Sequence, residues 1–292
     1  MRRHAFRAMG TDVSVLLDDQ RTTDATADRA IDAVAGIFAA EDQRCSRFRP
    51  DSELSAVNAT AGSRVTVSAQ LADLVRFSLR QAAESAGLFD PTVLGAVVAA
   101  GYDRDFDEVL AGARDRLHPP VACGRWREVE LHGRELLLPR GVGLDLGGVA
   151  KGWTVDLAAG AAVAAGVRWA LVNAGGDLRI AGDAPPVEVA IDDPGDPTSP
   201  IARLSVTEGA VATSSTMRRA WGPGAHHLID PRTGAPSDTG IVQASVWAPT
   251  CALAEIAAKR VLLEGRLGSD PAVVVTGDGG VLMNVETAEA AA

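Results

Sequence analysis

Four stretches of this sequence place side chains capable of chemistry at spacings that chemistry uses. The densest is Gly143-Leu-Asp-Leu-Gly-Gly-Val-Ala-Lys-Gly-Trp-Thr-Val-Asp156, which sets Asp145, a glycine pair, Ala150-Lys151 and a helix start within fourteen residues. Glycines ahead of a helix let a ligand approach the backbone, and a helix N-terminus favours anions. The spacing is neither Walker A nor GxGxxG, and an ordinary strand-to-helix turn accounts for it equally well. The second stretch, Val172-Asn173-Ala174-Gly175-Gly176-Asp177, ends an apolar strand. Its Asn and Asp can fix a turn through their own side chains or face a ligand. The third is His226-His227-Leu-Ile-Asp230-Pro-Arg232-Thr-Gly234, with Val211-Ala-Thr213-Ser214-Ser215 upstream as a source of hydroxyls. Histidine is the natural general base near neutral pH, and arginine suits phosphate. The fourth is Ala252-Leu-Ala-Glu255-Ile-Ala-Ala-Lys259, whose acid and base share a helix face at i,i+4. An exposed pair of that kind contributes only ~0.3–0.5 kcal/mol. The stretch from Cys251 to Ala258 is otherwise apolar, however, and a buried helix rarely carries a decorative pair.

Composition sharpens the interest in these segments. The chain has 292 residues, 38 acidic and 28 basic, for a formal charge of −10. Of the 28 basic residues only two are lysines, Lys151 and Lys259; the other 26 are arginines. A genome that favours Ala, Gly and Arg explains the arginines. It does not explain the lysines, which are compact point charges that fit where a wide guanidinium fork cannot.

The same composition excludes several classes. With 47% hydrophobic and 23% charged residues and a mean hydropathy of +0.08, the chain reads as an ordinary globular protein. The acidic balance argues against a general nucleic-acid or anionic-membrane binder. No run approaches the ~20 apolar residues of a membrane span. Met1-Arg2-Arg3-His4-Ala5-Phe6-Arg7 lacks an apolar stretch after its charges, so no secretory signal is expected and a cytoplasmic location is. Cys45, Cys123 and Cys251 are widely spaced without CxxC, which predicts reduced thiols and no zinc site.

Periodicity then supplies the elements that must position these residues. Helices are predicted over 23–42, over 68–86 with Ser68 as N-cap, over two short segments within 92–112, over 147–166 and over 251–264. Strands are predicted at Val13 to Leu17, Trp169 to Val172, Leu178 to Ala181, Val187 to Ile191, Ile201 to Val206, Ile241 to Trp247, Ala272 to Val275 and Val281 to Met283, with a hairpin from Trp126 to Leu138 turning at His132-Gly133. A Gly/Pro-rich stretch separates the strands at 201–206 and 241–247. Strands occur both in runs and between helices, which predicts an α+β fold. A single domain over 1–285 is expected, with 286–292 as a frayed tail.

Taken together, the segments resemble the FAD:protein FMN transferases of the ApbE family. The match runs in order through Met9-Gly10-Thr11; Ser46-Arg47-Phe48-Arg49-Pro50-Asp51-Ser52-Glu53-Leu54 with Asn58; Phe89-Asp90-Pro91-Thr92-Val93; Leu144 to Gly152; Asn173 to Asp177; Thr213-Ser214; and His227 to Gly234. The resemblance implies an α+β fold of mixed, largely antiparallel sheets packed with helices around a deep FAD cleft. It implies an enzyme that splits the FAD pyrophosphate and attaches FMN to a Thr or Ser of a partner flavoprotein, usually with Mg²⁺. Met9, Phe89, Asp90, Asp145, Asn173, Gly175, Gly176, Asp177, Thr213, Asp230 and Arg232 would contact FAD, Lys151 would hold the FAD-binding loop, and His227 would be the base.

One departure stands out. The family's metal helix normally reads Ala-Asp-Ala-Leu-Ala-Thr, and its Asp, its Thr and a backbone carbonyl hold the metal. The corresponding positions here are Glu255, Lys259 and Ala150. An ammonium cannot ligate a metal. Either Lys259 replaces the metal's charge and takes part in catalysis, or a metal binds through Glu255 and Ala150 with Lys259 swung away, or the site binds FAD and transfers poorly. An FAD-binding protein without transferase activity and an FAD pyrophosphatase are the alternative functions.

Overall fold

The strands read from Val13, Trp169, Leu178, Ile241, Ala272 and Val281 all join one antiparallel sheet. Its order is Arg2–Ala8, Thr11–Leu17, Trp169–Ala174, Asp177–Gly182, Gly209–Ser215, Ile241–Ala248, Ala272–Thr276, Val281–Met283. The computed structural model describes residues 1–18, 22–112, 119–196, 198–285 and 289–290. Its contacts divide the chain into two compact units, one of Met1–Ala40, Lys151–Ser215 and Gly240–Ala292, the other of Glu41–Ala150 and Thr216–Thr239.

In the first unit both faces of the sheet are covered, and side-chain alternation decides which residue meets which layer. Val13, Val15, Leu17, Ala170, Val172, Ala174, Ala210 and Ala212 face the helices Asp24–Cys45, Ala150–Ala164 and Cys251–Glu264. Trp169, Leu171, Leu178, Ile180, Val211 and Val273 face the strands Val187–Asp192 and Pro200–Val206. A one-residue slip in register would exchange the two sets, so burial on both sides fixes the pairing. The first helix carries Ala27, Ala30, Val34 and the fully buried Phe38 along one stripe. Burial of a side chain the size of Phe38 contributes ~1.5–3 kcal/mol.

The second unit is built from shorter pieces. The helices Glu53–Ala59 and Ala69–Glu84 accompany a three-stranded sheet of Arg64–Thr66, Glu135–Leu137 and Glu130–His132. Ser68 caps the longer helix by accepting from the Leu71 amide at 3.1 Å, while its own amide and hydroxyl donate to Glu53 at 2.5 and 2.6 Å. The helices Leu94–Ala99 and Phe106–Ala111 bracket Tyr102, which packs with Phe48, Phe106 and Trp221.

Three expectations change. The segment before Ile241 holds the strand Gly209–Ser215, near the middle of the large sheet; its small residues, buried on both faces, show no alternation to read. Arg2–Ala8 is an edge strand paired with Thr11–Leu17, and its charged residues disguise it, as charges on edge strands do. Trp126 lies in the 3₁₀ turn Arg125–Glu128, and the hairpin proper runs from Glu130–His132 to Glu135–Leu137. Of the expected tail, Glu289–Ala290 pairs with the strand Pro200–Val206, and 286–288 and 291–292 lie outside the described residues.

The Ser68 cap yields a first test. Ser68→Ala removes the acceptor for the Leu71 amide and should lower the free energy of urea unfolding by ~1 kcal/mol. An unchanged denaturation midpoint would contradict the assigned cap.

Candidate active site

Two helices in the first unit cap one another. Ala150–Ala164 and Cys251–Glu264 each begin with amide groups that have no partner inside the helix. Asp156, in the second turn of the first, accepts from the Cys251 and Ala252 amides at 2.7 and 2.9 Å. Glu255, one turn into the second, accepts from the Gly152 amide at 2.9 Å through Oε2. Each helix thus supplies the acid that satisfies the other's N-terminus, where negative charge is also favoured by the helix dipole. The arrangement demands close approach. A Cβ on Gly152 would lie 2.6 Å from the Cys251 carbonyl oxygen, so only glycine fits there.

The second oxygen of Glu255 gathers the two lysines of the chain. Lys151 Nζ and Lys259 Nζ each donate to Glu255 Oε1 at 3.1 Å. Lys259 also lies 3.4 Å from the Glu255 carbonyl oxygen, so its side chain folds back along its own helix. Lys151 additionally binds Asp177, which accepts from the Thr213 amide at 3.3 Å. Glu255 and Asp177 are almost wholly buried, with side chains 2% exposed, and Lys259 is 14% exposed. Burial pushes the Glu255 carboxyl up, but Lys151, Lys259 and the Gly152 amide outweigh it and hold the group well below the usual carboxylate range. At Asp177 burial prevails over the lysines and the pKa is raised, with Glu255 adding to the rise.

Asp177 reaches this cluster because of a tight turn. Gly175 and Gly176, at φ +65 and +98, connect Trp169–Ala174 to Asp177–Gly182 as a two-residue hairpin needing positive φ at both positions. Asn173 accepts from the Gly176 amide at 2.9 Å and so serves the turn. The neighbouring hairpin turns at Met9 and Gly10, where Met9 takes φ +49, unusual for a residue with a side chain. The two turns meet where the Gly175 amide donates to the Asp12 carbonyl at 3.1 Å. Thr213 shares a hydrogen bond with Ser245 at 2.8 Å. The structure thus brings Met9, Lys151, Asn173, Gly175, Gly176, Asp177, Thr213, Glu255 and Lys259 into one unit, at one end of its sheet.

The remaining sequence-derived residues belong to the other unit. Asp90 is committed locally: Oδ1 accepts from the Thr92 amide and hydroxyl at 2.7 and 2.6 Å, and Oδ2 from the Gly124 amide at 2.7 Å. Phe89, beside it, is buried. Asp145 pairs with Arg47 Nε at 3.0 Å and accepts from the Gly147 amide at 2.7 Å. Arg47 was not singled out from the sequence, yet its guanidinium lies 4.1 Å from the Phe48 ring centre and 4.6 Å from that of Tyr102. Asp230 binds Arg232 Nη2 at 2.7 Å. His226 is structural: Nε2 donates to the Ser237 carbonyl at 2.9 Å and Nδ1 accepts from the Leu228 amide at 3.2 Å. His227 is the half-buried member of the pair, its amide donating to the Arg219 carbonyl at 3.3 Å. Ala150 ends the first segment of this unit, and its contribution to a metal site with Glu255 stays an expectation.

Glu255 does not fit Mg²⁺ as arranged. A hard dication takes oxygen ligands, at ~2.1 Å for Mg²⁺. Both Glu255 oxygens already accept from two ammoniums and an amide, and among the described residues no cluster of three or more His, Cys, Asp or Glu is positioned for a metal. None of the helices is long and apolar enough to cross a membrane, among the described residues.

Known proteins share this chain's sequence pattern and fold. A model of the ApbE family matches residues 9–270. The FAD:protein FMN transferase of Rhodobacter capsulatus is 33% identical over 254 residues, covering 80% of this chain and 48% of that protein. That of Treponema pallidum is 32% identical over 244 residues, covering 75% of this chain and 67% of that one. The chain thus spans about half the length of the Rhodobacter protein. Among solved structures, the ApbE protein of Thermotoga maritima superposes with a TM-score of 0.82 at 22% identity, over 97% of this chain and 96% of that one. The flavin transferase ApbE of Vibrio cholerae gives 0.78 at 22%, over the same shares. These two establish the fold. The chain belongs to the ApbE family.

Two tests follow from the geometry. Gly152→Ala forces the paired helices apart and should cost ~1–3 kcal/mol of unfolding free energy; an unshifted denaturant midpoint would refute the close packing. For His226, burial lowers the imidazole pKa, with the Ser237 carbonyl and Asp238 opposing. The unfolded imidazole, at ~6.5, then binds its proton more readily than the folded one. Stability is full above that value and declines as pH falls below it. The melting temperature should drop on acidification from pH 7 through ~6.5, and His226→Gln should remove that step; a variant with the wild-type pH profile would show that His226 is not its source.

Proposed function

We propose that the chain is an FAD:protein FMN transferase, moving FMN from FAD to a Thr or Ser hydroxyl of an acceptor flavoprotein and releasing AMP. The observation that carries this reading is the family match over residues 9–270, together with a relative of that activity at 33% identity. In the reaction the acceptor oxygen forms a bond to the FMN phosphorus. The bond from that phosphorus to the bridging oxygen breaks, its electron pair leaves with AMP, and the acceptor's proton passes to a base.

The chain's own residues suit the parts of this reaction. His227 is the proposed base, since its neighbour His226 is committed to backbone partners at both ring nitrogens. The Gly175–Gly176 turn and Thr213 are proposed to receive the flavin nucleotide, because glycine lets the backbone approach a ligand closely. Lys151 supports that turn through Asp177. Phe89, Asp90, Asp145, Asp230 and Arg232, of the second unit, are proposed as further FAD contacts; Asp90 and Asp145 would act by shaping their loops, as their oxygens already serve local amides and Arg47.

Intact-protein mass spectrometry of a Thr-bearing flavoprotein domain incubated with the enzyme and FAD tests the reading. The acceptor should gain the mass of one FMN, and its Thr→Val form should not. Release of free FMN and AMP without acceptor modification would make the chain a pyrophosphatase. FAD bound but unchanged would make it a flavin carrier. Either result overturns the transferase.

A further inference from the structure

We propose that Lys259 is a resident cation: its ammonium supplies, as a fixed part of the fold, the positive charge beside Glu255, so that the chain acts without a divalent metal at that place. The inference rests on the transferase reading for what the charge does, and on the geometry of the first unit for its existence.

Three observations carry it. The chain contains two lysines among 28 basic residues, and both ammoniums stand 3.1 Å from the same oxygen of one buried carboxylate. Arginine fills every other basic position, so a compact charge is used only here. An ammonium is the more compact charge of the two basic side chains. Second, the cluster of Lys151, Lys259, Asp177 and Glu255 sums to zero formal charge. A dication added to it would leave two uncompensated charges among buried groups, and each such charge is costly to desolvate. Third, both oxygens are already engaged: Oε1 by the two ammoniums, Oε2 by the Gly152 amide. A metal at Glu255 would have to share the carboxylate with two ammoniums and a helix-capping amide.

The charge has a task in phosphoryl transfer. Negative charge grows on the leaving phosphate as its bond to the FMN phosphorus breaks, and preorganised cations lower the barrier by meeting that charge. Lys259 neither gives nor takes a proton in this step and stays an ammonium throughout. It acts through the field of the cluster and is a positioning residue for charge.

Two measurements on the full chain test the proposal. The first is FMN transfer from FAD to the Thr-bearing acceptor, in EDTA and in excess MgCl₂. Wild type should transfer at similar rates in both. Lys259→Met should fall on the order of 10²-fold in EDTA, while Lys259→Thr, which offers an oxygen in place of the ammonium, should become dependent on added Mg²⁺. The second is Mn²⁺ binding followed by electron paramagnetic resonance, which needs no activity. Wild type should leave the signal of free Mn²⁺ undiminished, and Lys259→Thr should bind an ion that Lys259→Thr/Glu255→Gln does not. Transfer by wild type that EDTA abolishes and Mg²⁺ restores would overturn the proposal. So would stoichiometric Mn²⁺ binding by wild type that Glu255→Gln removes, or full activity of Lys259→Met in EDTA. Absence of transfer under every condition overturns the transferase reading instead, and the Mn²⁺ measurement then decides the resident cation by itself.

Discussion

The Glu255 carboxylate receives three donors, the ammoniums of Lys151 and Lys259 on one oxygen and the Gly152 amide on the other, and the surrounding elements are placed where those donors must be. Removing a carboxylate from water costs several kcal/mol, which only well-made ion pairs and hydrogen bonds offset. To present the Gly152 amide, two helices must pack at a distance that excludes any Cβ. To bring Lys151, the same helix must begin there. To balance Lys151, the hairpin at Gly175–Gly176 must deliver Asp177 to the sheet end. The reciprocal bond from Asp156 to the other helix start holds the pair from the opposite side. Helix packing, turn type and charge are parts of one constraint.

That constraint links stability to function in the first unit. A site preorganised by buried charges pays for its order during folding and needs no rearrangement when charge develops in a bound substrate. The neutral sum of the cluster is what makes burial tolerable, and its two lysines are what give it a cationic side. The proposed resident cation would keep its positive charge whatever the metal supply.

Much of this was legible in the sequence where the signal is local. The helix Cys251–Glu264 and the strand Val281–Met283 carry the bounds that periodicity assigns, and Ser68 caps the helix it precedes. The Glu255–Lys259 pair was visible as an i,i+4 spacing, and the apolar residues around it pointed to burial. Its connection to Lys151, 104 residues earlier, was not, because sequence spacing carries no information about which helix starts meet. The two-lysine count was the one hint. The strand Gly209–Ser215 escaped because small residues buried on both faces have no period. Asp156 closed the quoted glycine-rich segment without any mark of its task, since a cap on a distant helix leaves no local pattern. In the second unit, Arg47 lay within a recognised motif, but its stacking on Tyr102 joins segments far apart in the chain.

Glu255 and Lys259 stabilise the fold as one coupled buried pair. A double-mutant cycle of Glu255→Gln and Lys259→Met, read by chemical denaturation, tests that coupling directly. Glu255→Gln leaves the Lys259 ammonium buried without its anion and should cost ~3–5 kcal/mol, whereas Lys259→Met removes one of the two ammoniums on Glu255, which keeps Lys151, and should cost less. The double variant should cost clearly less than the sum. Additive losses, or single variants as stable as wild type, would contradict the account.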